Sequence, residues 1–220
     1  MVFNVSQVNG VVLGNRSIVY IDGFNFYYGV MKNSNDKWLN LEHYFQLLRQ
    51  DDDIQKIYYF TARVSGNAQA RQDIYFQALQ TLNLVQIIYG LYKSRQRKCR
   101  VSSCTNPQKS YSDYEEKRTD VNIALQMLDD AYQNNCDRMI VVSGDSDLVP
   151  AVELVKQRFP EIQITVYIPS RHPRRGAATE LRNAADKNKT LPTALFKNTQ
   201  FPNSLINNSG QTINKPSSWQ

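Results

Sequence analysis

Apolar positions along this chain fall into short β-branched or aromatic runs that alternate with segments of helical spacing. Residues 17–21 (SIVYI), 54–61 (IQKIYYFT), 84–92, 139–143 and 162–168 (IQITVYI) read as strands, the most apolar of them buried on both faces. Between them, residues 41–48 carry apolar side chains at 41, 44, 45 and 48, a helical period. Residues 67–82 place Ala68, Ile74, Tyr75, Ala78, Leu79 and Leu82 roughly on one face, interrupted by Arg71. The strongest helix is 119–132, with Thr119 as N-cap and Val121, Ala124, Leu125, Leu128 and Ala131 as its core face. Residues 147–158 form a helix with Pro150 in the first turn, where a missing N–H costs nothing. Residues 180–186 form a short last helix. Strands alternating with helices predict an α/β fold, a parallel sheet covered on both faces.

The remaining segments lack periodicity. Residues 1–16 read as a leader or edge hairpin, with turn signals at Asn9-Gly10 and Gly14-Asn15. Residues 93–115 read as a long loop, functional or disordered. From Asn198 the chain is rich in Asn, Ser, Gln and Pro, which predicts a poorly ordered tail over 198–220 behind a domain at 17–197.

Composition narrows the setting. At 220 residues and 41% hydrophobic content, the chain supports one full core. No apolar run approaches a membrane span, and the amino end lacks a signal-peptide pattern. Three cysteines, Cys99, Cys104 and Cys136, fit no disulfide framework, so a reducing cytoplasm is expected. Cys99 and Cys104 could offer two zinc ligands, but the rest of the set would have to come from His172, Cys136 or a second subunit of a homodimer, and structural zinc is not expected. No Ser/His/Asp pattern accompanies His43 or His172, and no glycine-rich phosphate cradle occurs.

Charge adds a partner. The net +6 favours a polyanion such as nucleic acid. It is concentrated at Lys93, Arg95, Arg97, Lys98 and Arg100, at Lys117 and Arg118, and at Arg171, Arg174 and Arg175. Tyr89, Tyr92, Tyr111 and Tyr114 interleave or flank the first group, a combination suited to a single-stranded chain of phosphates and bases. The bland alternative is a solvated loop. The aromatic run at 24–28 is assigned to core in preference to base stacking.

Four acids carry the chemistry. Asp22 ends the first strand, Asp120 opens the strongest helix, and Asp145 with Asp147 follows the fourth strand. In a parallel sheet, strand ends share the edge where ligands bind. Taken alone, Asp147 could be a cap and Asp145 a turn residue. Clustered carboxylates repel unless a cation compensates, and all-oxygen ligands without His suit Mg²⁺ or Mn²⁺ better than Zn²⁺. Such a site supports metal-assisted phosphodiester hydrolysis.

Three segments, YIDGFNFYYG at 20–29, EKRTDVNIALQMLDDAY at 116–132 and VVSGDSDLVPAVE at 141–153, resemble the NYN (LabA-like) branch of the PIN-like ribonucleases, with a looser match in LRNAAD at 181–186. The resemblance implies a three-layer α/β/α sandwich with a central, mostly parallel sheet, and Mg²⁺- or Mn²⁺-dependent cleavage of RNA, as single strands or structured loops. By that likeness Asp22, Asp120, Asp145 and Asp147 are the acidic positions, Asn25 and Ser143 the supporting polar groups, and Glu116 and Lys117 the acid–base pair before the helix. Arg118 stands where relatives often carry a small residue. The alternative function is a non-catalytic RNA-binding or regulatory interaction module that keeps the fold.

Overall fold

The computed structural model describes residues 7–8, 11–12, 14–171 and 178–219. A two-residue pair, β1 (Gln7–Val8) with β2 (Val11–Val12), precedes β3 (Asn15–Asp22). Then follow α1 (Gly23–Phe26), continued as a wider turn over Tyr27–Met31, α2 (Leu41–Leu48), β4 (Asp52–Thr61), α3 (Gln69–Leu79) and β5 (Val85–Tyr89). The strands β6 (Leu91–Lys98) and β7 (Ser110–Lys117) lead to α4 (Thr119–Tyr132), β8 (Arg138–Val142), α5 (Val149–Arg158) and β9 (Gln163–Ile168). The chain closes with α6 (Thr179–Ala184), β10 (Lys187–Thr190), β11 (Ser204–Ile206) and β12 (Thr212–Asn214).

The central sheet has six parallel strands in the order β10-β9-β8-β3-β4-β5. Strand alternation sorts its side chains into two layers. Ile18 and Tyr20 join Ile123 and Met127 of α4 and Val152 and Val155 of α5, while Val19 and Ile21 join Phe45 of α2 and Phe76 and Leu79 of α3. The result is the expected three-layer α/β/α sandwich. The hydrogen-bonded edge strand β10 has no apolar pattern, because exposed Lys187 and Lys189 occupy it and discourage further pairing.

Three local expectations are corrected. Residues 93–115 are mostly an antiparallel arm, β6 with β7, outside the central sheet. Polar residues on both of its faces erased the period-2 signal. The core face of α4 is Ile123, Met127 and Ala131, whereas Val121 and Leu125 are 61% and 60% exposed. Buried Asp130 fixes the rotation of α4: its carboxylate accepts from the Tyr20 hydroxyl at 2.8 Å and the Asn135 amide at 2.9 Å.

Residues 198–220, expected as a disordered tail, pack against the α2–α3 layer where described. Phe201 N–H donates to Trp38 O at 2.9 Å, and the Trp38 indole donates to Pro202 O at 2.8 Å. Ile213 is buried and Trp219 packs against Trp38 and Tyr75. The average composition of this stretch is polar, but Phe201, Leu205, Ile213 and Trp219 are spaced to reach the core.

Candidate metal centre

The site begins where β3 ends. Asp22 has the parity of Ile18 and Tyr20, so it belongs to the layer that contains α4. Its Oδ1 caps α1, accepting from Asn25 N–H at 3.0 Å. Its Oδ2 accepts from Asn25 Nδ2 at 2.6 Å and from Ser143 Oγ at 2.9 Å. Burial, at 3% exposure, raises its pKa; these hydrogen bonds oppose the rise and the charge of Asp145 adds to it. Gly23 can follow directly because it has no Cβ, which would meet Phe60 O at 2.7 Å.

The neighbouring strand supplies the second turn. Ser143 Oγ, besides donating to Asp22, accepts from Asp145 N–H at 3.0 Å. Gly144 N–H donates to Asn25 Oδ1 at 3.3 Å. Asn25 and Ser143 therefore lock the ends of β3 and β8 together. Asp145 Oδ1 caps the following turn, accepting from Asp147 N–H at 3.0 Å. The capping role belongs to Asp145, and Asp147 lies in the first turn.

The third part is the start of α4. Arg118 occupies the cap position in the left-handed region at φ 79°, and Thr119 is already helical. Thr119 is therefore not the cap. Instead the Glu116 carboxylate accepts from Thr119 N–H at 3.1 Å and from its hydroxyl. The tight reversal presents Asp120, whose pKa is pushed up to about 6 by burial and by the charges of Asp22, Asp145, Glu116 and Asp147. Carboxylate oxygens of Asp120, Asp145 and Asp147 lie within 4.8 Å of one another. Asp22 lies outside that trio, with both oxygens hydrogen-bonded, and acts on it through Ser143 and through its charge.

Around this edge, rings stack in a line. Tyr28 meets Phe24 at 6.3 Å, Phe24 meets Tyr92 at 6.1 Å, and Tyr92 meets Tyr114 at 5.4 Å and 9°. Phe26 is core as expected, but Tyr28 is 57% exposed. The i, i+4 spacing of Phe24 and Tyr28 was the available signal for this row.

The predicted basic residues divide into paired and free groups. Arg97 pairs with Asp113 at 2.6 Å, Arg95 with Glu115 at 3.3 Å, and Lys117 with Glu115 at 2.5 Å. Arm pairing brings Asp113 and Glu115 within reach of Arg97 and Arg95, which are distant from them in sequence. Among the described residues, Lys93, Lys98 and Arg100 have no ion pair, and Arg118 is exposed. Arg171 is a brace: it donates to Val30 O at 2.7 Å and pairs with Asp36 at 3.0 Å. Arg174, Arg175 and His172 lie outside the described residues. Cys99 and Cys104 are free thiols near the arm's tip, and no three-ligand set forms around them among the described residues. Cys136 is buried in the α4–α5 layer, where burial raises its thiol to about 12.

The NYN domain family profile matches residues 16–191. The chain belongs to the NYN domain family. A curated relative is the 6-hydroxy-3-succinoylpyridine 3-monooxygenase HspA of Pseudomonas putida, 30% identical over 237 residues, covering 93% of this chain and 75% of that protein. A solved structure of a protein of unknown function from Vibrio parahaemolyticus shares the fold, with TM-score 0.53 and 18% identity over 86% of this chain and 98% of its own. In this NYN domain the acidic cluster offers a set of oxygen donors for a divalent cation. No helix among the described residues is long and apolar enough to cross a membrane.

Proposed function

We propose that this NYN domain is a metal-dependent ribonuclease, with Mg²⁺ or Mn²⁺ held by Asp120, Asp145 and Asp147. The observation that carries this reading is the convergence of those three carboxylates at the carboxyl edge of the sheet. The donor set fits: oxygen ligands alone, on elements braced by Asp22, Asn25 and Ser143, with mutual repulsion that a cation would relieve. When bound, a divalent cation supplies charge neutralisation at the scissile phosphate and activation of water.

The residues of this chain do the rest. Asp22 holds Ser143 and Asn25, and these hold the turn that carries Asp145. Lys93, Lys98, Arg100 and Arg118 supply positive potential that draws the phosphate backbone toward the edge. The exposed rings of Tyr28 and Tyr114 give unpaired bases a surface to stack on, so single-stranded RNA is the substrate class. Free thiols fit a cytoplasmic setting, and sedimentation decides whether the chain works as a homodimer. The test is cleavage of a labelled single strand with Mn²⁺, with EDTA, and with Asp145→Asn. Retained binding without cleavage by the native chain would favour the binding-module alternative.

One observation favours a second reading. The oxygenase relative is 30% identical across nearly the whole chain, so a small aromatic heterocycle is a competing substrate class. Against it, the sequence has no glycine-rich cradle for a nucleotide redox cofactor. Oxygen uptake with a hydroxypyridine and an added two-electron reductant tests it directly.

A further inference from the structure

On the α2–α3 side of the acidic edge lies a cavity of about 280 Å³. Gly23, the residue after Asp22, lines it, so the cavity adjoins the site without being part of it. Its walls are largely rings: Phe24, Tyr27, Tyr28 and Tyr92 contribute, with Trp219 from the carboxyl-terminal segment. Among the described residues, three cations, Lys32, Lys37 and Arg71, also line it, and no Asp or Glu does. Arg71 is the residue that interrupts the apolar face of α3.

Nothing else in the described fold uses these charges fully. Arg71 makes no hydrogen bond or ion pair among the described residues, yet it is half-buried and its charge acts on Tyr27 and Lys37. Lys32 lies 4.8 Å from the Tyr28 ring centroid with no carboxylate partner among the described residues. Lys37 donates to Ser34 O at 2.5 Å, and Asp36 beside it is paired with Arg171. Burial and the nearby Arg71 lower the Lys37 pKa, against the pull of Asp36. Three cations gathered among aromatic walls repel one another unless an anion joins them. Ring faces at the same place select a planar partner.

We propose that this cavity binds a planar aromatic ring joined to an anionic group. Two sources have that chemistry: one nucleotide of an RNA strand whose backbone runs on to the acidic edge, and a free heteroaromatic acid. The nucleotide source rests on the ribonuclease reading; the free acid does not.

The experiment uses the full chain as Asp145→Asn in EDTA, so that neither metal nor cleavage enters the measurement. Trp219 reports by fluorescence and calorimetry gives affinities. The probes are uridine 5′-monophosphate, adenosine 5′-monophosphate and 6-hydroxynicotinate, with 2-hydroxypyridine as an uncharged ring and inorganic phosphate as an anion without a ring. At least one charged ring should bind about tenfold or more tightly than both controls, a gap of about 1.4 kcal/mol. Arg71→Ala and Lys32→Ala should each remove most of that advantage. Arg71→Met preserves the stem's packing and repeats the test if Arg71→Ala misfolds. Preference for the nucleotides identifies the RNA source, and preference for 6-hydroxynicotinate identifies the small-molecule source. Absence of saturable binding by every charged ring, or unchanged affinity in folded Arg71 and Lys32 variants, overturns the proposal. Because cleavage plays no part, a failed nuclease assay leaves these outcomes intact.

Discussion

At the scale of single residues, the site depends on side chains that are individually ordinary. Asp145 is both a cap and a member of the acidic trio, and Asn is as good a cap as Asp. Asp145→Asn should therefore keep the turn and relieve repulsion, raising apo stability by on the order of 1 kcal/mol. Mn²⁺ should raise the Tm of the native chain and leave that of the variant nearly unchanged, while cleavage is lost. A variant that melts lower and still cleaves would assign Asp145 to structure alone. Asp120 gives a pH dependence of definite sign. Its folded pKa of about 6 exceeds the unfolded 3.8, so the folded state binds the extra proton between those values. In EDTA the Tm should fall as pH rises from about 4 through 6 and then level off; Asp120→Asn should flatten that segment. Below pH 6 the proton competes with the cation, so Mn²⁺ should bind more weakly there.

At the scale of elements, α4 and the β6–β7 arm make opposed demands on a sequence reader. Two apolar stripes run along α4, one through Val121 and Leu125 and the other through Ile123 and Met127, and periodicity alone does not rank them. The buried Asp130–Tyr20 hydrogen bond decides in favour of the second. Asp130→Ala leaves the Tyr20 hydroxyl unsatisfied and should cost about 2 kcal/mol. By contrast, Val121→Ala and Leu125→Ala should stay within about 0.5 kcal/mol, as exposed positions do. Chemical denaturation of the three variants checks both halves. The arm carries seven basic and three acidic side chains between Leu91 and Lys117. Its paired cations are partly neutralised, so the free ones should matter more to RNA. Replacing Lys93, Lys98 and Arg100 with Ala should lower the salt slope of single-strand binding by about 2. The same treatment of Arg95 and Arg97 should do less, as fluorescence anisotropy at several salt concentrations would show.

At the scale of the whole molecule, the carboxyl-terminal segment completes the layer that begins with α2 and α3. Trp38 is fully buried, and Phe201 and Trp219 both pack against it. Ile213→Ala should cost about 2–4 kcal/mol, measured by urea unfolding, a loss that a disordered tail would not produce. The same segment places Trp219 in the wall of the cationic cavity, joining distant parts of the chain around one cavity.

What the sequence determined by itself was whatever a local pattern can encode. Buried runs such as 139–143 marked strands, Pro150 marked a helix start, and three motifs in order marked the family and the positions of its acids. Tertiary structure decided the features that depend on residues far apart meeting. It separated Asp22, satisfied by Asn25 and Ser143, from the trio of Asp120, Asp145 and Asp147. It turned α4 by one buried hydrogen bond, and it paired Arg97 with an acid from another strand. Burial, charge coupling and cross-strand pairing are properties of neighbours in space, and a one-dimensional pattern carries them only where those neighbours are also close in the chain.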